Sequence, residues 1–63
     1  MGQKLVKFYE LIKAEGGLMM QMRLAVMTNT PSNKAGSDPD SPENLAKFKS
    51  AYKEITGKVA PIN

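Results

Sequence analysis

The stretch "GGLMMQMRLAVM", Gly16 to Met27, decides how this chain folds. Two glycines lead into ten residues of which only Gln21 and Arg23 are polar. Glycine accepts the backbone conformations found just past a helix end, so Gly16-Gly17 stops whatever helix precedes it. A joint of two residues favours an antiparallel return, and the pattern predicts a helical hairpin.

The segment before the glycines supports this. Taking 100° per residue over about 4–14, Leu5, Phe8, Tyr9, Leu11 and Ile12 share one side, while Lys7, Glu10 and Lys13 fall opposite. That is an amphipathic helix with a core-facing stripe. Lys4 borders the stripe, and Val6 lies outside it.

The segment after the glycines, about 18–29, reads differently. Leu18, Met19, Met22, Ala25 and Val26 lie on one side, and Met20, Leu24 and Met27 lie nearly opposite. Arg23 occupies one seam between them, Gln21 and Thr28 the other. A helix that is apolar on two sides must be covered on two sides.

Further along, "TPSNKAGSDPD" is rich in turn-forming residues and predicts a polar loop over 30–41. A third helix follows over 42–56. Ser41 is a natural N-cap, Pro42 suits the first helical position, and Glu43 complements the positive end of the helix dipole. Leu45, Phe48, Ala51, Tyr52 and Ile55 form its apolar stripe, and Gly57 closes it. The tail 58–63 is too short for an element of its own, with Val59 and Ile62 expected to pack locally. No internal repeat is visible. The fold class is therefore all-α: one small helical domain over 1–63, in which the third helix closes over the hairpin.

Bulk composition narrows the function. A chain of 63 residues buries only about 60% of the surface its unfolded form exposes, so its stability is marginal unless a disulfide, a metal, a partner chain or idealised helix packing helps. There is no cysteine and no histidine, which removes disulfides, thiolate and imidazole metal ligands and the commonest general base. The net charge of +3 comes from eight lysines and one arginine against six acids, spread over both ends of the chain. Nucleic-acid binders concentrate such charge on one face, so nucleic acid is disfavoured as a partner. The apolar run Leu18–Met27 is too short for a transmembrane helix, which needs ~20 residues. The N-terminus has charges where a signal peptide has its apolar core, and Val6 stands where myristoylation of Gly2 requires Ser or Thr. A soluble, cytoplasmic protein is expected.

Individual motifs lose to plainer readings. Met19-x-x-Met22 has a spacing that soft Cu(I) favours, but the methionine sulfurs point to two sides of the helix, and core or interface filling accounts for them. Asp38, Asp40 and Glu43 cluster, yet counting from Asp38 puts Glu43 and Lys49 where a calcium loop needs Gly and Glu. Gly16-Gly17 lacks the Lys-Ser/Thr and the strand of a phosphate loop. Phe48 and Tyr52 interleave with Lys47, Lys49 and Lys53 but belong to the apolar stripe. Thr30-Pro31 and Ser41-Pro42 match proline-directed phosphorylation, a dipeptide pattern common by chance. No catalytic residue, metal or cofactor is expected, and a chain this short offers little room for a ligand pocket of about 300 Å3. An enzyme is not expected.

What remains is a small interaction module that self-associates or docks on a larger protein through its Met-rich middle helix. In the homodimer this favours, two middle helices pack about a twofold axis. Met20, Leu24 and Met27 then meet their own copies, with Met19 and Arg23 beside them. Two alternatives are a weak lysine-mediated nucleic-acid binder, and a ligand carrier whose pocket forms between subunits from Tyr9, Tyr52 and the methionines.

Overall fold

The computed structural model describes residues 3–62. Gly2, and Asn63 at the end of the expected tail, lie outside the described residues. Among the described residues there are three helices and no strand: α1 (Gln3–Thr28), α2 (Ser32–Ala35) and α3 (Pro42–Thr56). The all-α class follows.

α1 consists of two helical pieces that meet at a kink and is not straight. At 1.5 Å per residue its length would be about 39 Å, whereas the molecule spans 25 × 21 × 17 Å. The bend lies at Gly17, whose φ of 74° and ψ of −157° fall outside every helical region. That corner of backbone space is essentially restricted to glycine. Gly17 divides α1 into an arm 3–16 and an arm 18–28, and the arms touch. The Gln21 amide donates to the Tyr9 carbonyl at 3.1 Å, and the Tyr9 hydroxyl donates to the carbonyl of Thr30, just past the second arm.

Leu5, Phe8, Tyr9 and Ile12 of the first arm are buried, with Leu11 at the edge of the same core, as their spacing predicts. α3 packs across them. Its N-terminus is capped by Ser41, whose hydroxyl accepts from the Asn44 N–H at 3.2 Å, and its C-terminus ends on Gly57 in the left-handed conformation. Aromatic rings meet where α1 and α3 touch. Phe8 meets Phe48 and Tyr52 at centroid distances of 5.6 and 6.1 Å, and Tyr9 meets Phe48 edge-on at 5.9 Å. Such pairs add stability beyond the area they bury.

Three details differ from the sequence reading. The loop 30–41 is not featureless, for α2 packs on α1 with Ala35 fully buried and Gly36 lying against Val6. Alanine needs little space, so one helical turn suffices to bring it to the core. In the tail, Ala60 and Ile62 reach the core while Val59 stays exposed. The salt bridge from Lys58 to Glu15, at 2.6 Å, ties the start of the tail to the end of the first arm. Finally, the second arm ends one residue early, at Thr28, because Asn29 takes the left-handed conformation with φ 55°.

Thr28 and Thr30, polar residues of a seam and a loop by sequence, are buried. Their hydrogen bonds explain this. The Thr28 hydroxyl donates back to the Leu24 carbonyl at 2.7 Å. The Thr28 carbonyl, left open by the helix end, accepts from the Thr30 hydroxyl and the Lys47 ammonium, both at 3.3 Å. Lys47 thus places a positive charge from α3 at the negative end of α1.

Candidate docking face

The rotation of the arm 18–28 about its axis determines which of its two apolar sides is available. Leu24 is fully buried, in one cluster with Leu5, Phe8 and Phe48. Met20 packs partly against the same cluster, and its thioether lies so close over Gly16 that a Cβ there would collide with it. Gln21 and Thr28, bonded to Tyr9 and Leu24, complete the inner side.

The outer side carries Leu18, Met19, Met22 and Val26, which keep 68, 78, 61 and 81% of their surface exposed. Met27 is half exposed and Arg23 is exposed. Of the five residues expected at an interface, Met19, Arg23 and Met27 lie on this outer face. Met20 and Leu24 are turned inward, and Leu24 in particular is a core residue. Periodicity places residues on the same or opposite sides of a helix but does not say which side meets the core. Here Gln21, in the seam beside Leu24, bonds across to the Tyr9 carbonyl of the first arm, and Leu24 on the same side is turned into the core. Leu18, Met22 and Val26, grouped together by sequence and assigned there no interface role, form the centre of the outer face.

Two shallow depressions mark that face. One of about 290 Å3 is lined by Met22, Arg23, Val26 and Met27. The other, of about 190 Å3, is lined by Tyr9, Leu18, Gln21, Met22, Ala25, Pro31 and Ser32. Both are open to solvent, and the first is almost wholly apolar in its lining.

The remaining candidates have structural employment. Asp40 accepts from the Lys4 N–H at 3.2 Å through one oxygen, which places a carboxylate at the positive end of α1. Its other carboxylate oxygen is buried without a hydrogen bond. Among the described residues, no three His, Cys, Asp or Glu side chains gather as a metal site would need. Tyr9 and Tyr52 are buried in the aromatic core. Burial raises the Tyr9 phenol above its ordinary pKa, with a contact to Thr28 offsetting part of the rise. Thr30 is buried and bonded, and the Ser41 hydroxyl is occupied as a cap. Among the described residues, no helix is long and apolar enough to cross a membrane.

Compared with known proteins, the chain matches no family model, no curated protein and no solved structure.

Proposed function

We propose that this chain is a small non-catalytic helical interaction module: a hairpin of two arms, closed by α3, that docks through the outer face of its second arm. One observation carries the reading. Four large apolar side chains stand more than 60% exposed on one three-turn arm, although the same arm buries Leu24 fully on its other side. Scattered exposed apolar residues are ordinary, whereas a contiguous apolar patch marks an interaction surface. Methionine suits such a face because its unbranched, polarisable side chain adapts to different partners.

The lysines offer less to a nucleic acid than their number suggests. Lys47 is bonded to the end of α1 and Lys58 to Glu15. The face itself carries one cation, Arg23.

A photo-crosslinking amino acid placed at Met22 in cells expressing the protein tests the reading. Discrete adducts are expected from position 22 and not from Lys13, which is exposed on the other arm. An adduct of twice the chain's mass identifies a second copy, and any other mass a different protein. Equal labelling from both positions removes the support for a dedicated face.

A further inference from the structure

The shape and charge of the outer face select its occupant, an inference that rests on the docking reading above. Leu18, Met22 and Val26 follow at intervals of four and form one ridge; Met19, Arg23 and Met27 form the next. The larger depression lies between these ridges. The smaller lies on the far side of the first ridge, against Pro31 and Ser32. One ridge flanked by two depressions is what neighbouring ridges of a single partner helix fill when rows four residues apart interdigitate.

Charge then distinguishes a second copy from another protein. From Gly16 to Ser37 the only ionisable side chains are Arg23 and Lys34, both cationic. Arg23 stands at the midpoint of the arm, on the lip of the larger depression. Two copies crossing at that midpoint would bring Arg23 against Arg23 with no carboxylate on either arm to neutralise them, and like charges juxtaposed in a contact oppose it. We infer that the outer face receives an acidic amphipathic helix of another protein. Its apolar residues seat in the two depressions, and an Asp or Glu at its edge pairs with Arg23.

The probe is a labelled Leu/Glu amphipathic helical peptide of about five turns, with a twin in which every Glu is Lys. The wild-type protein is expected to sediment as a monomer at about 50 µM and to bind the Glu peptide at least about tenfold more tightly than the Lys twin. Arg23→Glu is expected to reverse the preference. Lys7→Glu, the same charge change on an exposed position of the other arm, is expected to leave the ratio within about twofold. Met22→Gln combined with Val26→Gln, which removes apolar surface without adding charge, weakens binding of both peptides while the circular dichroism spectrum stays that of the wild type.

If Arg23→Glu fails to reverse the preference, or Lys7→Glu shifts it equally, the acidic-helix inference is overturned, and the docking reading stands as long as the double glutamine variant still weakens binding. If that variant binds as the wild type does, the docking reading falls too. A wild-type dimer abolished by the double variant assigns the face to a second copy instead. Tighter binding to vesicles containing about a quarter phosphatidylglycerol than to the Glu peptide, lost in the same variant, assigns it to an anionic bilayer.

Discussion

Gly17 and Gly57 both have positive φ, and a Cβ at either would meet open space, yet they differ in what they tolerate. Gly57, at φ 75° and ψ 7°, is in the ordinary left-handed region that Asn also adopts. Gly17, with ψ −157°, is in a region that only glycine occupies at low cost. Gly17→Ala and Gly17→Asn are each expected to lower the unfolding free energy by about 1–3 kcal/mol, while Gly57→Asn stays within roughly 0.5 kcal/mol of wild type. Urea titration followed by circular dichroism reads both. Equal sensitivity at the two positions would mean that Gly17 is not where the chain turns. The glycine pair was legible in the sequence as a break. Which glycine breaks the helix was not, since both positions hold the same residue; Gly16 keeps its helical place and makes room for the Met20 thioether.

At the scale of the element, the arm 18–28 shows how far periodicity reaches. Its two apolar sides were legible from spacing alone, and so were the stripes of the first arm and of α3. The direction in which the arm faces was not, because both sides have similar hydrophobicity and the polar seam residues carry no sign of where their partners lie. A paired substitution checks the orientation. Leu24→Ala should cost about 2–5 kcal/mol, the range for a buried leucine, and Val26→Ala should stay within about 0.5 kcal/mol. Comparable losses at both sites would contradict the orientation. α2 was illegible for a different reason: a single turn has no periodicity to read, and Ala35 is too small to signal burial.

For the molecule as a whole, alkaline pH probes the contacts that join its parts. Tyr9 connects the first arm to Thr30 beyond the second, and burial raises its pKa in the folded state. Lys58 ties the tail to Glu15, whose hydrogen bond and charge raise the lysine pKa as well. A group whose pKa is raised on folding contributes fully below its unfolded value and loses that contribution as pH climbs through the folded value. Both groups therefore act in one direction, Tyr9 from about pH 10 upward and Lys58 at still higher pH. The unfolding free energy is expected to decline above about pH 10, less steeply in Tyr9→Phe than in wild type. Chemical denaturation across that range measures the slopes, and identical slopes would show that the Tyr9 contact does not persist in solution.

The sequence by itself determined the helical class, the break at the glycine pair, the capped third helix and the residues of the aromatic core. These rest on local rules: the period of a helix, the freedom of glycine, and the hydrogen bond of a serine at a helix start. Only the tertiary structure decided that Leu24 faces in and Val26 out, that Thr28 and Thr30 belong to the interior, and that Ala35, Ala60 and Ile62 finish the core. Several of those outcomes involve a partner distant in the chain, such as Tyr9 for Thr30 or Lys47 for the carbonyl of Thr28. A local pattern carries no information about a neighbour supplied by the fold, and the face left for docking is the one those distant partners did not take.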